Sequence, residues 1–114
     1  MNDNKSTTQS SGINNITAGT VITGDIVANG DLRLDGSLHG NITLPGKLVI
    51  GESGMVEGNV VCQNANVIGT IKGNIEVKEF LTLYASASIE GDIVTSKLSI
   101  EPGARFSGNC KMDD

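Results

Sequence analysis

The side chains of this sequence that are chemically versatile are one histidine, two cysteines and three closely spaced aspartates. His39 is the only histidine, so an enzyme that uses a histidine as general base would have to use this one. It lies in a segment where apolar and polar residues alternate. We interpret it as a surface side chain whose neighbours on adjacent strands are Thr23 and Glu57.

The three aspartates are Asp25, Asp31 and Asp35, and carboxylates at such spacing can gather around a cation. They alternate with residues of the repeat described below, so we predict solvated carboxylates in turns and no metal site. The sequence has no phosphate-binding loop of the form GxxxxGK[ST]. It therefore predicts no metal, no cofactor and no nucleotide-driven chemistry.

The two cysteines are Cys62 and Cys110, and they are 48 residues apart. They form no CxxC motif and have no histidine cluster beside them, so the pattern favours neither a metal site nor a disulfide framework. We predict two buried free thiols. Free thiols are typical of a reducing compartment, which indicates the cytoplasm.

The composition limits the function classes further. The chain has 114 residues, a net charge of −5, 3% aromatic residues and 15 glycines. One domain fits this length, and the acidic balance opposes binding to nucleic acid or to anionic lipid. The sequence contains no apolar stretch near the roughly 20 residues of a membrane span and no signal-peptide pattern. We expect a cytoplasmic protein.

A short unit recurs along the chain from Ile13 onward. Its form is apolar, any residue, Gly, Asn or Asp, apolar, as in the segment LHGNI from Leu38 to Ile42, and it occurs six times. A repeat of this length predicts a solenoid in which each repeat packs on the next. The glycines are separated by 16, 18, 15, 18 and 17 residues and are Gly24, Gly40, Gly58, Gly73, Gly91 and Gly108.

Two apolar pairs accompany each glycine. One follows it at two and four residues, as in Val60/Cys62, and another lies between successive glycines, as in Leu81/Leu83. A spacing of two is typical of strands with one buried face. Together with the segment that carries the apolar residue before the glycine, the two pairs give each repeat three short inward-facing strands. We predict an all-β fold, a right-handed parallel β-helix of triangular section. It would have about six turns of 15–18 residues, with the repeated glycine at a corner.

The repeat also predicts the domain boundaries. Residues 1–12 are polar and lack hydrophobic periodicity, so we predict a disordered N-terminal tail. The β-helix core domain is expected to cover residues 13–111, and residues 112–114 would form a short C-terminal tail.

A left-handed solenoid of hexapeptide repeats is the alternative. Apolar residues recur every six positions in two runs, from Leu38 to Val56 and from Ile71 to Ile89. Such repeats are common among acyltransferases, which would act as trimers, bind acyl-coenzyme A and use a histidine between subunits. The phase slips between the two runs, and unequal turns favour the right-handed coil.

Three segments resemble the core domain of the bactofilin family over residues 14 to about 111. They are GTVITGDIVANGDLRLDGSLHGNI, GKLVIGESGMVEGNV and LSIEPGARFSGNCKM. The resemblance implies a bacterial cytoskeletal scaffold, not an enzyme, with a right-handed triangular β-helix. It implies self-assembly without nucleotide into filaments that lack polarity, and a function in cell shape or polar organisation.

The resemblance also bears on partners and location. It implies a homopolymer in the bacterial cytoplasm, with cell-envelope or cell-shape proteins as partners and a location near the inner face of the membrane. Members that touch the membrane use an apolar N-terminal peptide. The segment MNDNKSTTQSSG has Met1 as its only large apolar residue, so it gives little support to direct membrane binding.

A solenoid has two ends, where strands lack partners and the core is cut across. No capping helix is predicted before Ile13 and four residues follow Cys110, so we expect both ends to be open and to join other copies. Phe106 matches the family's terminal phenylalanine at the polymer contact, and its alternative role is to close the core of its own subunit. The predicted contact residues of the first turn are Ile13, Ile16, Val21 and Ile22.

Overall fold

The computed structural model describes residues 6–8, 13–28 and 30–112, and these residues form strands and turns only. Their sixteen strands pair in parallel throughout. No helix long and apolar enough to cross a membrane is found in this part of the chain. The predicted all-β solenoid is confirmed, and the right-handed sense stays a prediction from the uneven turns.

The strands form three faces around one coil. The first face contains β1 (Ser6–Thr8), β4 (Ile26–Ala28), β7 (Ile42–Thr43), the first parts of β10 (Val60–Val67), β12 (Ile75–Leu83) and β14 (Ile93–Ile100), and β16 (Cys110–Met112). The second face contains β2 (Ile13–Ile16), β5 (Asp31–Leu34), β8 (Lys47–Ile50) and the second parts of β10, β12 and β14. The third face contains β3 (Val21–Thr23), β6 (Ser37–His39), β9 (Met55–Glu57), β11 (Thr70–Lys72), β13 (Ser88–Glu90) and β15 (Arg105–Ser107).

The first and second faces meet at a corner that β10, β12 and β14 pass through without a break. A single residue, Gln63, turns this corner in β10, whereas Lys78 and Glu79 turn it in β12. In β14 the corner again takes one residue, Ser96. Part of the uneven turn length is therefore accommodated as a bulge at this corner.

The interior is filled by columns of stacked apolar side chains, one from each turn. In the third face the column runs through Ile22, Leu38, Val56, Ile71, Ile89 and Phe106. The four middle members are at most 1% exposed, because a turn covers them on each side. Burying an aliphatic side chain this fully stabilises the fold by about 1.5–3 kcal/mol. The strand alternation predicted from the apolar pairs is confirmed.

The repeated glycines stack on one another at the corner between the third and first faces. Gly73 has a φ of +143°, a conformation that favours glycine. A Cβ on Gly73 would collide with the carbonyl oxygen of Gly58 in the preceding turn. The same collision with the preceding glycine recurs at Gly40, Gly58, Gly91 and Gly108. Only glycine therefore fits at this corner, because the backbones of successive turns approach each other closely.

In the first turns, the Asn or Asp after the repeated glycine links each turn to the next through a hydrogen bond. The Oδ1 atom of Asp25 accepts a hydrogen bond from the backbone N–H of Asn41 at 3.0 Å. Asn41 Oδ1 accepts in turn from the N–H of Asn59 at 2.9 Å, and Asn59 Oδ1 from Asn74 at 3.3 Å. In these turns each bond is donated by a backbone N–H and accepted by the side-chain oxygen of the preceding turn.

Three features bear on the sequence expectations. Strand β1 lies within residues 1–12 and pairs with β4; residues 1–5 and 9–12 lie outside the described residues, and the disordered tail stays a prediction. Strand β16 extends to Met112, one residue beyond the predicted core domain. The prediction that both thiols are buried is wrong for Cys110, which is exposed because it lies on the terminal strand.

Candidate polymerisation surfaces at the two ends of the solenoid

The last turn presents a group of apolar side chains that we call the C-terminal end surface. Ile100 is 50% exposed and Met112 is 51% exposed, while Phe106, Leu98 and Ala104 are partly buried against the core. Cys110 completes the group, whose members are Leu98, Ile100, Ala104, Phe106, Cys110 and Met112.

Most members of this surface continue a core column by one more step. Phe106 pairs with Ile89, Ile100 with Leu83 and Leu98 with Leu81. Cys110 pairs with Ile93, and Met112 with Thr95. Each side chain is therefore covered on the side of the preceding turn, and no described strand covers the other side. The C-terminal end surface is therefore a cross-section of the apolar core that no described strand covers.

At the opposite end the described columns begin with both apolar and polar residues. Ile16 and Ile22 pair with Leu34 and Leu38 and are partly buried against the core. Asn14 holds the register position next to Leu32 in an otherwise apolar column. We call Ile16 and Ile22 the N-terminal end surface.

The five predicted contact residues do not all share these positions. Phe106, Ile16 and Ile22 lie at the ends of inward columns, as predicted. Val21 pairs with Ser37 and is 65% exposed on the outer side of the third face. Ile13 pairs with Asp31, in a row of outward positions, and its side chain lies outside the described part.

Leu98, Ile100, Cys110 and Met112 were not among the predicted contact residues, although their signal is in the sequence. They continue the apolar pairs of earlier repeats into the last one. A residue that is core in every earlier repeat becomes surface in the terminal repeat, because no further turn covers it.

The backbone edges of the outermost strands also lack partners among the described residues. Within the described residues no strand pairs with the outer edges of β15 and β16 or with those of β1 and β3. Such edges carry unpaired N–H and C=O groups, which favour pairing with another chain.

The residues considered for chemistry do not converge on a site. His39 Nδ1 lies 2.8 Å from Glu57 Oε1, and both side chains are more than 40% exposed. The predicted neighbours of His39 are confirmed, because it pairs in register with Thr23 and Glu57. Burial raises the pKa of the Cys62 thiol to about 12, which keeps this thiol protonated and unreactive.

The aspartates have separate partners. Asp25 and Asp31 each accept a backbone hydrogen bond from the next turn, and Asp35 pairs with Arg33 at 2.9 Å. Among the described residues no three His, Cys, Asp or Glu side chains are grouped so that they could hold a metal ion.

Comparison with known proteins agrees with this architecture. Residues 14–111 match the profile of the family described as "Bactofilin: Polymer-forming cytoskeletal". The chain belongs to the bactofilin family. This bactofilin is 35% identical over 98 residues to bactofilin BacO of Myxococcus xanthus (strain DK1622), which covers 86% of the chain and 78% of that relative. No solved structure matches the chain. The family is one of structural cytoskeletal proteins, which disfavours the acyltransferase alternative.

Proposed function

We propose that this bactofilin is a scaffold of the bacterial cytoplasm that self-assembles end to end into filaments, without nucleotide. The observation that carries the proposal is the C-terminal end surface, where the core columns end in half-exposed Ile100 and Met112 beside open strand edges. Its first partners would be other copies of itself. Cell-shape or cell-envelope proteins would be recruited to the filament.

The filaments would lack polarity, because like ends match better than unlike ends. In a head-to-tail joint, the column that ends at Leu98 would meet the column that begins at Asn14. In a joint between two C-terminal end surfaces, apolar residues face apolar residues. Such a joint is a self-complementary contact about a two-fold axis, and the two N-terminal end surfaces would then meet at the next joint.

Replacing Phe106 with arginine tests the C-terminal joint. We expect Phe106→Arg to fold but to form no filaments, because each C-terminal joint would bury two unpaired charges. Assembly would stop at dimers joined through their N-terminal end surfaces. Circular dichroism reports the fold, and negative-stain microscopy with high-speed sedimentation in nucleotide-free buffer reports filaments. Met112→Arg is a second variant in case Phe106→Arg does not fold, since Met112 is 51% exposed.

Ser107→Arg is the matched control. It adds the same charge on the same strand, but Ser107 is exposed next to Phe106. This variant should assemble like the wild type. The proposal fails if the wild type stays monomeric at high concentration, or if Phe106→Arg and Met112→Arg still form filaments.

A further inference from the structure

The outer side of the first face carries a row of residues with few charges, which we call the valine column. The column contains one residue from each of six successive turns and runs Val27, Thr43, Val61, Glu76, Val94 and Lys111. Val27 is 53% exposed, and Val61 and Val94 are partly exposed.

The third face offers a contrast. One of its two outward rows contains His39, Glu57, Lys72 and Glu90 in register, and it alternates in charge in its second half. A solvated sheet face normally carries charged and polar side chains of this kind. Val27, Val61 and Val94 are not part of the buried core, because they lie on the outer side of the face.

We propose that the valine column is a lateral contact between two copies of this chain that run antiparallel, each in its own filament. This inference rests on the proposed end-to-end assembly. A two-fold axis that passes Val94 along the strand direction brings Val94 against Val94. It also brings Glu76, one turn before, against Lys111, one turn after, and does so twice.

Charge complementarity selects this arrangement. If the two copies run parallel and in register, Glu76 faces Glu76 and Lys111 faces Lys111, which is unfavourable at short distance. Other antiparallel registers of the same row leave these two charges opposite uncharged or like-charged residues. The register about Val94 is the one that pairs both charges.

The size of the contact explains why it needs a filament. The register about Val94 overlaps three turns of each copy, those of Glu76, Val94 and Lys111. Three-residue strands are about 10 Å wide and three of them stand about 14 Å tall, so each copy contributes roughly 140 Å². One such contact buries about 280 Å², below the roughly 1,000 Å² of a specific interface. End-to-end assembly repeats the valine column along the filament, so many weak contacts act together. Lateral pairing is therefore expected between filaments and not between free subunits.

Charge exchange tests both the face and the register. We expect Glu76→Lys alone and Lys111→Glu alone to lose the lateral pairing while single filaments persist. The double variant Glu76→Lys, Lys111→Glu should regain it, because the two opposite charges face each other again. Low-speed sedimentation collects bundles, high-speed sedimentation collects single filaments, and negative-stain micrographs show filament width.

Glu90→Lys is the control, because it makes the same charge change on the third face. It should leave the bundles intact. If filaments form but both single variants bundle like the wild type, or if the double variant fails to regain pairing, the lateral contact is refuted while the proposed function stands. If the wild type forms no filaments, the proposed function itself fails.

Discussion

Replacing Gly73 with alanine is the most direct test of how closely the turns stack. The substitution places a Cβ against the carbonyl oxygen of Gly58 and at a φ of +143°. The backbone conformation alone costs about 1–2 kcal/mol for a residue other than glycine. The collision adds to this, because the two corners must move apart.

The hydrogen bonds beside the corner indicate how much is added. Gly58 N–H donates to Lys72 O at 2.9 Å, and Val60 N–H donates to Asn74 O at 2.8 Å. Weakening both costs about 1 kcal/mol each. We therefore expect Gly73→Ala to lower the free energy of unfolding by about 3–4 kcal/mol, against a typical total of about 5–15 kcal/mol.

Gly19→Ala separates the two contributions. Gly19 also has a positive φ, +87°, but nothing lies within 4 Å of the position of its Cβ. Only the backbone cost of about 1–2 kcal/mol is expected there. Urea unfolding followed by circular dichroism compares the variants, and all should carry Phe106→Arg and be measured at one protein concentration, so that filament assembly does not add to stability.

With an m-value of about 1–3 kcal/mol per M, Gly73→Ala should shift the urea midpoint by at least about 1 M. Gly19→Ala should shift it by roughly half as much or less. If the two substitutions shift the midpoint equally, the stacked glycines are not in close backbone contact and the account of the corner is wrong.

Three further predictions concern the cysteines and the core. At pH 8 a thiol reagent should modify Cys110 and leave Cys62 intact in the folded Phe106→Arg variant, whose C-terminal end surface is free; two modified thiols per chain would contradict the burial of Cys62. Because burial raises the pKa of Cys62 from 9.0 to about 12, the folded state holds this proton more tightly than the unfolded chain. The associated stability is present below pH 9 and declines as the pH rises towards 12, which unfolding at pH 8 and pH 10 would show. Leu81→Ala should cost about 2–5 kcal/mol, because Leu81 is fully buried. Its neighbour Phe80 is 43% exposed, so Phe80→Ala should change stability by no more than about 0.5 kcal/mol, and equal losses in urea unfolding would refute the alternation.

The period of the sequence carried most of the fold prediction. Glycines spaced by 15–18 residues and apolar pairs spaced by two indicated three strands per turn, and the inward columns follow those pairs. Cys110 shows where this reasoning failed. Its position in the repeat matches that of buried Val60 and Ile93, and the repeat by itself carries no information about whether a turn lies above it.

The repeat also explains why the sequence predicted some residues of the end surfaces correctly and misplaced others. Phe106, Ile16 and Ile22 lie in columns that the repeat indicates, and the structure places them at the ends. Val21 is as apolar as Ile22, yet it points outward, because neighbouring residues of a strand face opposite sides. Assigning Val21 correctly requires the pairing of β3 with β6, which sets Val21 beside Ser37 and not beside Leu38.

The amino-acid sequence alone determined that this chain is a β-solenoid of bactofilin type, because each repeat encodes the same three short strands and the same glycine corner. Tertiary structure decided which residues share a column, which apolar residues are left uncovered at the ends, and which residues form the valine column. These properties depend on the register between turns. Register is set by contacts between residues 15 to 18 positions apart, and no segment of the sequence contains it by itself.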